Sequence, residues 1–419
     1  MKILVIGVSA RALAESALNS GYRVVALDAF GDRDLRSLTE AYSLPRDCNV
    51  RYSAEALYKE SRHIGFDAVA YTANLENHPA VLARFASQHP IMGNSPEVIK
   101  EVRHWPGFYS SLKKAGFRIP DTMFEKPPKA VHPDPRWLEK PALSGGGHGI
   151  RFFDPGKEQL YTNGRNHPGT PKYHSETFFQ QYIDGKPCSA SFVANGHECV
   201  VLGIAEQWIG LNQFGAGRFR YCGNILPLPE LRHPEDGKLL VEQIRQLAAF
   251  VTRTYRLIGL NVIDFILKDN EVYLTEVNPR YSASMELIEK SCGLRLFDIH
   301  ARAVMYDELP VFHPDMICNH REFMGKAILF AERDAVVKDT AAWHSMGIRD
   351  IPASGEPIRK GEPICTMLAA RTTYNRTFAE LTERARMLKE EIYDETKSNL
   401  DNRALHETGN RHFDRKTEI

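Results

Sequence analysis

Two apolar segments near the middle of the chain, residues 259–267 and 272–280, are joined by four polar residues, Lys268, Asp269, Asn270 and Glu271. That pattern predicts an antiparallel strand pair closed by a turn. Oxygen donors are set into these otherwise apolar strands: Asp264 in the first, Glu276 and Asn278 in the second, with Arg280 just beyond. Residues two apart on a strand face the same side, so Glu276 and Asn278 project together. Oxygen-only donors suit Mg2+ or Mn2+, and Mg2+ commonly pairs one or two carboxylates with nucleotide phosphates. Arg280 adds a permanent charge and a fork of donors fit for phosphate or carboxylate. The blander alternative is a hairpin whose acids are merely solvated.

A second signal lies upstream. Lys140 ends a predicted strand, Pro141 stiffens the chain just after it, and Ser144-Gly145-Gly146-Gly147-His148-Gly149 is dense in glycine. Glycines let backbone N–H groups approach an anion closely, and a lysine neutralises phosphate charge. The spacing is not G-x-x-x-x-G-K-[ST], so this is not a P-loop. A glycine run alone is usually a flexible turn; its weight comes from the strand pair downstream.

Taken together, Lys140-Pro141 with its glycine loop and Glu276-Val277-Asn278-Pro279-Arg280 resemble the ATP-grasp carboxylate–amine ligases. The resemblance covers roughly residues 1–310. It implies ATP and Mg2+ (or Mn2+) as cofactors, with Asp264, Glu276 and Asn278 as metal ligands. It implies that Lys140, Ser144, Gly145, Gly146, Gly147 and His148 hold phosphates. Thr177 to Gly185 resembles the hinge strand that carries adenine, which makes Gln180, Gln181, Tyr182 and Ile183 candidate nucleotide contacts. The family usually has glutamate there; glutamine still offers a carbonyl oxygen and an amide, or is an exposed edge residue. The family also carries Asp-Lys ahead of a helix phenylalanine, where this chain has His104 and Trp105 before Phe108. Arg103 is the nearest cation and is expected to substitute.

The implied reaction has two steps: phosphorylation of a small-molecule carboxylate, then displacement of phosphate by an amine. Lys140 and Arg280 are the residues expected to act on the reacting groups. Ser9 and Arg11, at the start of the first helix, are candidates for holding a substrate carboxylate; otherwise Ser9 caps that helix and Arg11 is solvated. Arg218 and Arg220 are candidates for substrate acid groups, or solvated arginines. Ser282 and Ser284 read as simple caps, and His300 as a satisfied core histidine. The narrower resemblance is to a subgroup near tyramine–glutamate-type ligases of C1-carrier biosynthesis.

The predicted fold class is α/β, α+β in the central lobe. Residues 1–95 alternate strand and helix as in a Rossmann-like sheet, but a lone Gly7 fails the dinucleotide fingerprint. Residues 96–185 form a small lid unit with a Pro-rich linker at 127–135, and 186–310 a larger unit containing the hairpin. Residues 311–395 form a small β-rich unit of two short strands and a helix from about 377, and 396–419 a loose tail.

Composition narrows the partners. Lys plus Arg and Asp plus Glu are 53 each, which gives no reason to expect nucleic acid or an anionic membrane. The seven cysteines form no C-x-x-C pair, as in a reducing cytoplasm. No apolar run approaches a bilayer's span, and the start reads too short for a signal segment. Dimers are common in the family that the chain resembles, and the sequence leaves open whether this chain forms a homodimer. Two rival readings remain: a biotin- or purine-carboxylase-like enzyme using bicarbonate, and a nucleotide-binding regulator without turnover.

Overall fold

The computed structural model describes residues 1–125, 136–154, 177–312 and 322–393. The Pro-rich linker and the C-terminal tail expected from the sequence lie outside these residues.

The chain opens with a parallel sheet. Its strands run in the order Glu40–Ser43, Arg23–Asp28, Lys2–Ile6, Ala68–Tyr71 and Ile91–Met92. Continuous apolar runs make these strands, because both faces are covered. Ile3 and Val5 pack on helix Arg11–Asn19 and on residues of the large sheet beyond it. Leu4 and Ile6 pack on the other face, against Leu57, Leu82 and Phe85. Strand Glu40–Ser43 is an addition to the sequence reading; it is short and half polar, so periodicity did not reveal it.

A small antiparallel sheet comes next, in the order Thr122–Met123, Thr177–Gln181, Trp137–Pro141 and Arg151–Phe152. The main body is one eight-stranded antiparallel sheet. Its order is Glu271–Asn278, Ile258–Lys268, Lys186–Asn195, Cys199–Ile209, Tyr221–Leu226, Phe323–Phe330, Pro363–Arg371 and Ile348–Arg349. Helix Pro234–Tyr255 packs its apolar face, including Ile244 and Val251, against Ile263 and Leu274 of this sheet.

The sheet crosses the boundary placed at 310. Met324 pairs with Leu226, and Trp208 and Phe214 share a core with Leu329, Met367 and Leu381. Strand Phe323–Phe330 is eight residues long and Pro363–Arg371 nine, where two short strands were predicted. Strands Phe323–Phe330, Pro363–Arg371 and Ile348–Arg349 therefore extend the large unit's own sheet, because the run 323–330 pairs with Tyr221–Leu226 on one edge as well as with Pro363–Arg371 on the other, while Ala335–Val337 and Glu356–Ile358 pair separately. Helix Tyr374–Tyr393 closes that core.

The first sheet is stitched to the hairpin by polar contacts. Asn94 donates to Asn261 Oδ1 at 2.8 Å and to the Pro279 carbonyl at 3.1 Å, while its own Oδ1 accepts from Ile258 N at 2.8 Å. His300 Nδ1 accepts from Leu260 N at 2.9 Å, which leaves Nε2–H to donate to the Met92 carbonyl at 3.0 Å. Burial pushes His300 down to about 4, so it is a neutral core residue, as its apolar helix predicts.

Candidate active site

The hairpin places its oxygens together. Asp264 lies opposite Glu276 and Val262 opposite Asn278. A bulge next to Asp264 leaves Thr275 as the extra residue, so Glu276 and Asn278 keep one face. Asn278 Nδ2 donates to Asp264 Oδ2 at 2.7 Å, and Gln207 Nε2 to Asp264 Oδ1 at 2.8 Å. Burial first, then the nearby Glu276 charge, push the Asp264 carboxyl up to about 7. Two carboxylates and a carboxamide oxygen on one partly buried face form a donor set whose repulsion a divalent cation would offset. No three His, Cys, Asp or Glu side chains converge among the described residues, so the carboxamide of Asn278 has to complete the set.

Three cations surround this face. Arg103 Nη1 donates to Glu276 Oε1 at 2.9 Å and Nη2 to Asn278 Oδ1 at 3.3 Å. Arg280 Nη2 reaches Asn278 Oδ1 at 3.2 Å, and its Nη1 donates to Ser282 Oγ at 3.2 Å. Lys140 Nζ donates to Gln180 Oε1 at 3.0 Å. Burial lowers the Lys140 ammonium's affinity for its proton, and the Glu276 and Asp264 charges oppose that shift.

Gln180 is 2% exposed, not an edge residue. Its Nε2 donates to Tyr109 OH at 3.0 Å and Thr122 Oγ1 at 3.2 Å, fixing the amide so that its oxygen faces Lys140. Gln181 Oε1 accepts from Asp121 N at 3.4 Å, and Tyr182 stacks beneath the Arg136 guanidinium. Gln181, Tyr182 and Ile183 thus continue the same strand end away from Lys140. Trp105, in the place of the missing lysine, is buried and its indole donates to the Ala142 carbonyl at 3.2 Å.

The glycine loop covers a cleft lined by Trp105, Tyr109, Lys140, Phe178, Glu276 and Gly145 to Gly147. Gly147 has φ +78°, and a Cβ there would lie 1.7 Å from the Phe219 carbonyl oxygen, so glycine is required. Tyr221 N donates to the Gly146 carbonyl at 3.2 Å, Ser144 Oγ to the His148 carbonyl at 2.5 Å, and Arg220 Nη1 meets His148 Nδ1 at 2.9 Å. Arg218 is exposed, its guanidinium 4.5 Å from the Phe152 ring centroid. Both arginines lie in the turn before strand Tyr221–Leu226, not on a strand. A wider depression over His197, Arg253 and Arg256 contains none of these groups.

Arg11 corrects the sequence reading. It is fully buried, and all five donors are taken by protein carboxylates. Nη1 and Nη2 grip Glu286 at 2.5 and 3.1 Å, Nε and Nη2 reach Asp350 at 2.8 and 3.3 Å, and Nη1 also meets Glu15 at 3.0 Å. It faces neither solvent nor an open site. Ser9 does not cap the helix either; Ala10 is at the N-cap, with its N–H bonded to Asp28 Oδ2 at 2.9 Å. Ser284 likewise makes no cap bond.

Sequence reasoning missed Glu76, Gln207 and Tyr109. Glu76 sits in the short turn Leu75–Asn77 of the first unit and accepts from Arg280 Nη2 at 2.6 Å. Burial alone would raise its carboxyl, but the Arg280 and Arg103 charges hold it below the ordinary value. Its only local signal is an acid shortly after a buried strand, a feature too common to select it.

Similarity to known proteins points in one direction. The family described as the ATP-grasp domain matches residues 107–284. An uncharacterized protein of Methanocaldococcus jannaschii is 24% identical over 387 residues, 88% of each chain. D-alanine–D-alanine ligase of Petrotoga mobilis is 28% identical over 143 residues, 34% of this chain and 45% of that one. The biotin carboxylase domain of Hydrogenobacter thermophilus 2-oxoglutarate carboxylase, solved with MgADP and bicarbonate, superposes with TM-score 0.67 at 16% identity, covering 91% of this chain and 88% of that one. That likeness establishes the fold. With the hairpin, the glycine loop and the lysine between them in place, the match identifies an ATP-grasp domain at residues 107–284 of the chain.

Proposed function

We propose that this protein is an ATP-dependent ligase that joins a small-molecule carboxylate to an amine, releasing ADP and phosphate. The observation that carries this reading is the convergence of Asp264, Glu276, Asn278 and Arg280 on one face of the hairpin, beside a cleft that Glu276 shares with Lys140 and the glycine loop. Asp264, Glu276 and Asn278 would hold Mg2+, which would supply neutralisation of the charge on the transferred phosphoryl group. Lys140, steadied by Gln180, and the amides of the glycine loop bind the phosphates. The substrate carboxylate oxygen attacks the γ-phosphorus and the bond to ADP breaks. Arg280 is placed to hold the acylphosphate as it forms. The amine nitrogen then attacks the acyl carbon, the C–O bond to phosphate breaks, and the amine's proton leaves to solvent. Holding both reactants in line accounts for much of the rate, so no nucleophilic side chain is needed.

The biotin carboxylase domain of the Hydrogenobacter enzyme was solved with bicarbonate, which makes carboxylation the second reading. Six described cysteines are free thiols, which supports a reducing compartment for the proposed enzyme, and no helix among the described residues is long and apolar enough to cross a membrane. Calorimetry with Mg·ATP, then ADP release assayed with pooled acids and amines and with bicarbonate, tests the proposal. Release that requires both an acid and an amine, with an amide product seen by mass spectrometry, is the expected result. Dependence on bicarbonate instead establishes the second reading, and absence of Mg·ATP binding defeats both.

A further inference from the structure

Glu76 is 1% exposed and comes from the first unit, not from the ATP-grasp domain. Among the described residues it is the one carboxylate paired with both active-site arginines: 2.6 Å to Arg280 Nη2 and 3.5 Å to Arg103 Nη2. These same guanidinium groups reach Asn278, and Arg103 also reaches Glu276. Glu76 therefore stands one residue behind the oxygen-donor face. The next residue in the turn, Asn77, donates to the Ser144 carbonyl at 3.4 Å, at the start of the glycine loop. A single turn of the first unit thus touches both the arginines and the loop that covers the cleft. Three buried atoms of this group find no partner among the described residues: Glu76 Oε2, Arg103 Nε and Arg280 Nε. Buried polar atoms are nearly always paired, so the two Nε–H groups are donors left for an anionic ligand.

We infer that Glu76 is a positioning residue for the proposed phosphoryl transfer, aiming Arg280 and Arg103 at the reacting phosphate from outside the ATP-grasp domain. The reason is geometric. A guanidinium held by a carboxylate on one edge presents its remaining N–H groups in a fixed direction. Without that anchor, Arg280 and Arg103 keep their bonds to Glu276 and Asn278 but lose the contact that fixes the direction of their remaining N–H groups. The first unit thereby sets the catalytic cations as well as covering one side of the large sheet. Glu76 touches neither ATP nor the metal ligands in this scheme, so its loss should appear in turnover and not in nucleotide affinity.

This inference rests on the proposed function, and its test separates the two. Mg·ATP binding is read by calorimetry, and phosphoryl transfer by ATP formation from Mg·ADP and carbamoyl phosphate, the simplest acyl phosphate. Glu76→Gln is expected to lower the transfer rate about 100-fold, the cost of a small misplacement of a reacting group, with Mg·ATP affinity within about threefold of the parent. Its effect is expected not to add to that of Arg280→Lys, because the two residues act as a unit. If Glu76→Gln does not fold, Glu76→Asp keeps the charge but shortens the reach, and a loss of about tenfold with unchanged affinity supports the role. A parent-like rate in either folded variant, or full additivity with Arg280→Lys, overturns it. If the parent protein neither binds Mg·ATP nor makes ATP, the functional reading itself fails and takes this role with it.

Discussion

Two buried ion networks, both anchored on the large sheet, are built differently. One joins Arg11, Glu286, Lys326 and Asp350; the other joins Arg103, Arg280, Glu76, Glu276 and Asn278. In the first, every Arg11 donor is matched and Lys326 Nζ adds a bond to Glu286 Oε2 at 2.7 Å. Burial alone would raise Glu286, yet Arg11 and Lys326 hold it well below the ordinary carboxylate range. In the second, both arginines and Glu76 keep an unmatched atom among the described residues, and the neighbouring Asp264 is pushed up to about 7. A closed network holds units together, whereas in the second the two arginine Nε–H groups are the donors proposed to meet an anionic ligand. Two arginines that look alike in sequence are thereby separated by what surrounds them.

Breaking the closed network should produce the largest effect. Arg11→Leu leaves Glu286 and Asp350 without their main partner, and removing one member of a buried ion pair costs about 3–5 kcal/mol. Equilibrium denaturation checks this; a loss under about 1 kcal/mol, typical of exposed pairs, would show that the network is solvated. The incomplete network should respond in rate instead. Arg280→Ala is expected to lower acid-dependent ADP release about 10²–10³-fold, equivalent to about 2.7–4 kcal/mol of transition-state stabilisation. Turnover within a few-fold of the parent would place the reacting phosphate elsewhere.

The pH dependence sharpens the same contrast. A carboxyl raised from 3.8 to about 7 binds its proton more tightly in the folded state. Its contribution to stability is therefore full below about 4 and is lost as the pH rises through about 7. Asp28, raised by burial to about 6, titrates in an overlapping window. The measurement is accordingly the difference between parent and Asp264→Asn in thermal stability from about pH 4 to 8 without metal. The parent should show the steeper decline, and Mg2+ should flatten it by competing with the proton; superimposable profiles would remove Asp264 from the proposed cation face.

Smaller effects belong to the loop over the cleft. Gly147→Ala forces a Cβ against the Phe219 carbonyl at a positive φ, strain worth about 1–3 kcal/mol. Weaker Mg·ATP binding by calorimetry, with a melting temperature near the parent's, is the expected result. His148→Leu removes the contact with Arg220, worth about 0.5–1.5 kcal/mol, and should lower nucleotide affinity only several-fold.

Local spacing explains what could be read in advance. The hairpin carrying Asp264, Glu276, Asn278 and Arg280 spans few residues, so strand alternation alone puts its donors on one face. Lys140 and the glycine loop are equally local. Glu76 and Arg11 were beyond such reasoning for one reason. Glu76 meets Arg280 across 204 residues and Arg11 meets Asp350 across 339, so nothing near either in sequence reveals its partner. The pairing of strand Phe323–Phe330 with Tyr221–Leu226 was hidden likewise, since that mate lies far upstream.

The amino-acid order by itself determined the parallel N-terminal sheet, the ligand-bearing hairpin and the glycine loop, because each depends on periodicity or on the backbone freedom of neighbouring residues. Only the tertiary structure decided which arginine has every donor taken by internal carboxylates and which also reaches the oxygen-donor face of the hairpin. A charged side chain's role depends on how many of its donors the fold already satisfies, and those partners are brought together only when distant segments pack.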